Sequence, residues 1–276
     1  MLGLPEAGKT TFLAALWYLG TSSTDDSSFK VKQLVGDISY LNAISRAWLE
    51  CTPLPRTKVR ENNVAELAVT DAFSGEAIRL VVPDLSGEVF REGIANRQWD
   101  SRAAAAAAHA DGILLFINPA QVASPSWIFQ RVDGSRASLG AERAWSPIES
   151  PTQVQLVDLL QTVNRLRQNA PVKCSVIVSA WDVAAATYAG PGQWIAESLP
   201  LLDEFLTTSI QNFPNKMFGI SAQGGPLPHS EKELLEVDPQ IRVRVIEGPE
   251  RSSSDASTIT ARSPYDLAAP VRWLTN

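Results

Sequence analysis

The chain has 276 residues, 45% of them hydrophobic and 20% charged, with a net charge of −6 at pH 7. That balance suits a globular protein with a sizeable core and supplies no global basic field to attract nucleic acid. Its apolar runs, such as Ile113–Ile117, fall far short of the roughly 20 residues that span a bilayer; with no charged-then-apolar leader, neither a membrane nor a nucleic-acid partner is expected, and the expected location is cytoplasmic.

The first element is the most informative. Gly3-Leu4-Pro5-Glu6-Ala7-Gly8-Lys9-Thr10 reads G-x-x-x-x-G-K-[ST], the P-loop pattern that grips the phosphates of a nucleoside triphosphate. Gly3 and Gly8 let the backbone wrap closely, so that N–H groups along Glu6, Ala7 and the following residues face phosphate oxygens. Lys9 supplies a point charge for the β- and γ-phosphates, and the Thr10 hydroxyl is the expected Mg²⁺ ligand. Thr11 then opens a helix, Thr11–Trp17, whose positive end faces the anion. Only Met1 and Leu2 precede Gly3, whereas an ordinary strand takes about five residues. The strand that delivers the loop is therefore expected to continue upstream in an apolar, β-branched stretch of roughly four to six residues.

A polar loop, Thr21–Ser28, leads to a helical pattern over Ile38–Leu49 and a proline-stiffened loop, Thr52–Thr57. Val64–Thr70 and Ala77–Val82 read as a hairpin around Phe73–Glu76. Ser101–Ala110 is alanine-rich and helical by propensity, and Gly112–Ile117 is an apolar strand of the kind buried on both faces. Residues 119–150 look like an insertion. Thr152–Asn169 is amphipathic, with Val154, Val157, Leu160, Val163 and Leu166 on one side. Val176–Val178 and Lys216–Ile220 read as strands, Leu199–Ile210 as a helix, and Pro264–Leu274 as the closing helix. A second insertion, about 224–262, contains the alternating strand Ile241–Val245 and a polar tail-like loop, Glu250–Ser257. The alternation of strands and helices predicts an α/β fold in one domain over 1–276. Its mostly parallel sheet would carry one antiparallel hairpin edge and a truncated first strand.

Cys174 lies in an apolar run and reads as an inert core thiol; with Cys51 it makes two cysteines, too few for a disulfide framework. His109 and His229 lack metal-ligand spacing, and Arg242 and Arg244 read as the wet face of a strand.

Three further motifs bear on the nucleotide. Leu80–Val82 leads into Asp84-Leu85-Ser86-Gly87, a D-x-x-G in which Asp84 would hold the Mg²⁺ shell and Gly87 would offer its N–H to the γ-phosphate. Asp182 follows the strand ending Val178-Ser179-Ala180-Trp181, and Ser221-Ala222 follows the next strand. In this order the chain resembles the Ras-like, translation-factor-related P-loop GTPases, and more narrowly the double-GTPase-type components of bacterial conflict systems. The resemblance implies a three-layer fold, GTP/GDP and Mg²⁺ as cofactors, Asp182 reading guanine, and the Ser221-Ala222 loop supporting the base.

The departures from that family are informative. Its base loop is [NT]-K-x-D, and here it is Ser179-Ala180-Trp181-Asp182. Ser179 stands where a tether is expected, and Trp181 either covers the base or packs into the core. An ionised Asp182 only accepts hydrogen bonds, which matches guanine N1–H and N2–H₂ but not the adenine N1 lone pair; its bland reading is a helix cap. Glu88 stands where a water-orienting glutamine is expected, which predicts slow hydrolysis. Thr57 is the candidate for a mobile threonine closing on Mg²⁺ and the γ-phosphate, and Arg56 is either an arginine finger in cis or a solvated cation. The expected function is a slow, Mg²⁺-dependent GTPase switch with a protein partner at its mobile loops or insertions. An ATPase or a non-hydrolysing, nucleotide-gated interaction module stands as the alternative.

Overall fold

The computed structural model describes residues 1–21, 29–35, 38–54, 64–71, 75, 77–83, 87–125, 146–225, 242–251, 261 and 263–276. Two hydrogen-bonded sheets organise it. The first is antiparallel, in the order β1 (Phe29–Val35), β2 (Val64–Asp71), β3 (Ala77–Pro83). The second runs β4 (Gly112–Ile117), β5 (Lys173–Ser179), β6 (Asn215–Ser221), β7 (Arg244–Arg251), parallel through β6 and antiparallel at the β7 edge. The expected hairpin is β2–β3. The strand β1 that extends it was not foreseen, because Phe29–Val35 mixes lysine and glutamine with its apolar residues.

Leu2 makes a single parallel bridge to Leu115: its N–H donates to the Leu114 carbonyl (2.8 Å) and its carbonyl accepts from Phe116 N–H (2.9 Å). The chain thus passes along β4 directly into the P-loop.

Side chains of the parallel strands alternate between two cores, as the period of two requires. Leu114, Phe116, Ile177, Phe218 and Ile220 face α1 (Lys9–Thr21), α2 (Ser39–Leu49) and the closing helix α8 (Ala269–Thr275). Ile113, Leu115, Ile117, Val176 and Val178 face the helices of the other layer. These are α3 (Gly87–Asn96), α4 (Ser101–His109), α5 (Thr152–Leu166), α6 (Pro191–Ser198) and α7 (Pro200–Thr208). The result is the expected three-layer α/β arrangement. In α5 the buried apolar residues are Leu156, Val157, Leu159, Leu160 and Val163, while Val154 is 39% exposed. Of the expected face, Val157, Leu160 and Val163 are buried and Leu166 packs against the core, while at the start of the helix Gln153 is buried in place of Val154 and accepts from Leu201 N–H (2.9 Å).

Two arginines hold helix ends and sheets together. Asp100 caps α4, accepting from Arg102 N–H (2.9 Å) and Ala103 N–H (3.3 Å). Arg167 closes the other end on the carbonyls of Ala108 (3.1 Å) and Ala110 (2.7 Å). Arg272 of α8 is buried between two buried carboxylates, Asp71 at the end of β2 and Asp266, both at 2.7 Å. Burial works against its charge, but the hydrogen bonds and charges of Asp266 and Asp71 win and raise its pKa above the ordinary value. This triad ties the antiparallel sheet to the closing helix.

Arg242 corrects one expectation. It is 7% exposed, not wet. Its guanidinium stacks 3.7 Å from the Trp48 ring centre and donates to the Trp48 carbonyl and the Cys51 thiol. An alternating pattern at 241–245 does not distinguish this from a solvated arginine, because the stacking partner comes from α2, far away in sequence.

Removing the centre of the buried triad tests it. Arg272→Ala should cost about 3–5 kcal/mol, because it leaves two carboxylates buried without a counter-charge. Urea unfolding measures this, and a loss below about 1 kcal/mol would mean that the triad contributes nothing net.

Candidate nucleotide-binding site

The carboxyl ends of β4, β5 and β6 lie side by side, with Ile117 paired to Val178 and Ser179 to Ile220. In open α/β sheets this edge is where ligands bind, and each strand delivers a polar residue to it: Asn118, Ser179 and Ser221. The P-loop, residues 3–10, runs across the same edge.

Gly8 has φ +86°, and a Cβ there would lie 2.9 Å from both Cβ and Oγ of Ser179. Only glycine lets the loop pass the end of β5 this closely. Ser179 Oγ, buried, donates to the carbonyls of Ala7 (2.8 Å) and Ile117 (3.2 Å). The hydroxyl thus ties the P-loop to the β4–β5 junction, the tether role expected of this position. Gly3 passes against Phe116, and Glu6, exposed, adopts φ +60° at the crown of the loop.

Helix α1 starts at Lys9, and its first bond is Phe12 N–H to the Gly8 carbonyl (3.0 Å). The N–H groups of Lys9, Thr10 and Thr11 precede any intrahelical acceptor, so the first turn carries donors and the positive end of the helix dipole. The half-buried Lys9 ammonium bridges the loop, donating to the carbonyls of Gly3 (2.8 Å) and Leu4 (2.9 Å). Thr10 and Thr11 are half-buried beside it.

The residues expected to read the base also converge. Asp182 is exposed, and one of its carboxylate oxygens accepts from Ser221 Oγ. That hydroxyl in turn accepts from Gly224 N–H (3.1 Å). The carboxylate is therefore held in place at the mouth by the Ser-Ala loop, although its strand neighbour is β5. Ala222, buried, offers its carbonyl to Trp48 Nε1 (2.9 Å), which anchors the loop to α2. Trp181, in contrast, is only 6% exposed and belongs to the core, and a Cβ on Gly219 would lie 2.7 Å from its ring. Of its two readings, packing is the one its position supports. Ala180 bends the chain between Ser179 and Trp181 with φ +47°, ψ +45°.

Gly87 begins α3, and a Cβ there would overlap the backbone of Leu4 and Pro5. The glycine of D-x-x-G is thus pressed against the P-loop, with half-buried Glu88 in the first turn behind it. Asp84, Arg56 and Thr57 lie outside the described residues. Among the described residues no cluster of three or more His, Cys, Asp or Glu side chains could hold a metal ion; of the expected ligands, Thr10 alone is among the described residues, in the first turn of α1.

The model of the family Double-GTPase 1 matches residues 1–274. The chain belongs to this family. No curated protein and no solved structure matches it. As a Double-GTPase 1 member it is a guanine-nucleotide-binding P-loop protein, and among the described residues no helix is long and apolar enough to cross a membrane.

Asn118, Trp48 and Gly219 belong to the site's support in this Double-GTPase 1 member and were missed from sequence. Asn118 had a legible signal, a lone polar residue between an apolar strand and a proline. Trp48 and Gly219 had none, since their partners lie on other elements.

The Ser179 tether is testable. Ser179→Ala leaves the Ala7 carbonyl without its buried donor and should cost about 1–3 kcal/mol of stability. Nucleotide affinity should fall about tenfold, the equivalent of one lost hydrogen bond to a misplaced loop. Parent-like affinity by titration with a fluorescent guanine nucleotide would remove Ser179 from the site.

Proposed function

We propose that this protein is a GTP-operated switch that hydrolyses GTP slowly with Mg²⁺ and passes its nucleotide state to a protein partner in a bacterial multi-protein system. One observation carries the reading: the Asp182 carboxylate, positioned by Ser221, stands exposed on the same sheet edge as the P-loop. A fixed acceptor-only group at that point favours guanine over adenine.

Phosphoryl transfer needs positioning and charge neutralisation rather than a covalent intermediate. In this reading the P-loop N–H groups and Lys9 hold the phosphates, and Gly87 offers its N–H to the terminal one. Thr10, Asp84 and Thr57 are the proposed Mg²⁺ ligands, and the ion when bound neutralises phosphate charge. Arg56 is the proposed source of a second cation in cis. Glu88 next to Gly87 brings a negative charge toward the terminal phosphate, and this supports slow hydrolysis. The same residue favours the second reading, a nucleotide-gated interaction module that does not hydrolyse. The partner surfaces in either case are the switch loops or the insertions 119–150 and 224–262.

Two substitutions test the reading. Lys9→Ala should abolish measurable GTP binding while leaving thermal unfolding close to the parent, since Lys9 contacts loop carbonyls and not core. Asp182→Asn should weaken GTP and gain xanthosine triphosphate, because an amide both donates and accepts. Binding of GTP by well-folded Lys9→Ala, or an unchanged base preference in Asp182→Asn, would overturn the guanine-nucleotide assignment. Phosphate release under multiple-turnover conditions separates the switch from the non-hydrolysing module.

A further inference from the structure

We propose that Asn118 is a positioning residue for the phosphate-binding loop: its amide donates to the Glu6 carbonyl and so sets the Glu6–Ala7 peptide plane, which holds the turn in which Ala7 N–H donates to the Leu4 carbonyl. The inference deepens the guanine-nucleotide reading above and rests on it.

Asn118 is the first residue after β4, and its side chain makes two bonds with opposite sense. Nδ2 donates to the Glu6 carbonyl (2.9 Å), and Oδ1 accepts from Ala120 N–H (3.0 Å). Because a carbonyl only accepts and an N–H only donates, these partners fix the orientation of the amide. Residues 118 and 6 are 112 positions apart, so the first contact is tertiary and the second is a local cap on the Pro119–Gln121 turn.

The mechanical argument follows from the planarity of the peptide. In a trans peptide the carbonyl and the next N–H point in opposite directions. With the Glu6 carbonyl turned out to Asn118, the N–H of Ala7 turns back across the loop and donates to the Leu4 carbonyl (3.3 Å). With the Ala7 carbonyl turned out to Ser179, the N–H of Gly8 turns away from β5. Two consecutive peptide planes are thus aimed by side chains from the ends of two adjacent strands. The aim matters because Glu6 sits at φ +60°, a region that non-glycine residues rarely occupy and that surrounding structure must hold. Without Asn118, the residue is free to relax to a right-handed conformation, and that rotation breaks the bond of Ala7 N–H to the Leu4 carbonyl and opens the turn.

A purely structural role would rest on the cap to Ala120, and one substitution separates the two. Asn118→Asp is nearly isosteric and keeps the acceptor, and aspartate caps as well as asparagine. It removes the donor, however, and sets a carboxylate against the Glu6 carbonyl. Asn118→Ala removes both bonds.

The experiment uses the full chain, a fluorescent GDP analogue by anisotropy, and amide hydrogen exchange of residues 3–8 in nucleotide-free protein. Asn118→Ala should bind the GDP analogue about tenfold more weakly, and Asn118→Asp more weakly still, at about 30-fold or beyond. Both should exchange residues 3–8 faster than the parent, with thermal unfolding of Asn118→Asp close to the parent. Parent-like affinity and exchange in Asn118→Asp would overturn the proposal and leave Asn118 as a turn cap. If Asn118→Asp does not fold, the same two readouts on Asn118→Ala decide. If the parent binds no guanine nucleotide, the functional reading fails on its own. Exchange at residues 3–8 then still decides the tether, with faster exchange supporting it and unchanged exchange overturning it.

Discussion

A phosphate-binding loop has to keep its N–H groups pointing inward while its carbonyls, equally polar, are satisfied elsewhere. Here the carbonyls of Glu6 and Ala7 are turned out to Asn118 and Ser179, while those of Gly3 and Leu4 accept from Lys9 across the loop. Turning the Ala7 carbonyl out to Ser179 turns the Gly8 N–H of the same peptide the other way. The rest of the fold is arranged around this requirement: β4 and β5 end where these two side chains are needed, and Gly8 is small enough to let Ser179 approach.

The Asp182 end of the site depends on a second chain of contacts that reaches α2. Asp182 is held by Ser221, the Ser221-Ala222 loop is held by Trp48 of α2, and Trp48 is covered by Arg242. Burial lowers the pKa of Arg242, against raising contributions from Cys51 and Tyr18, yet the guanidinium keeps aromatic and hydrogen-bonding partners. Residue 242 lies within the segment 224–262, so this packing connects that segment to the Ser221-Ala222 loop. The Arg272 triad makes a comparable connection between the antiparallel sheet, which carries D-x-x-G at its β3 end, and the closing helix.

What was legible in the sequence follows from how local each signal is. The P-loop is contiguous and its geometry is set by glycines, so its residues and the helix behind it were readable from eight positions. The buried strands β4, β5 and β6 announce themselves as apolar runs, because both of their faces are covered. Asp182 and Ser221 were readable as residues just past strand ends, although their hydrogen bond joins positions 39 apart. Trp181 was ambiguous for a physical reason: a large aromatic beside a ligand site serves equally as wall or as core, and only the space left by Gly219 decides. Arg242 and the strand β1 were misread or missed because alternation and mixed polarity describe exposed and buried settings alike when the partner is distant.

The central claim is that the fixed Asp182 carboxylate and the tethered P-loop together select a guanine nucleotide. Competition of unlabelled GTP and ATP against a bound fluorescent guanine nucleotide, with Mg²⁺ present, tests it most directly. The account predicts that GTP displaces the probe at concentrations at least about 100-fold below ATP, since the site leaves adenine's base edge facing an unpaired acceptor. Displacement by ATP at equal or lower concentration would contradict it.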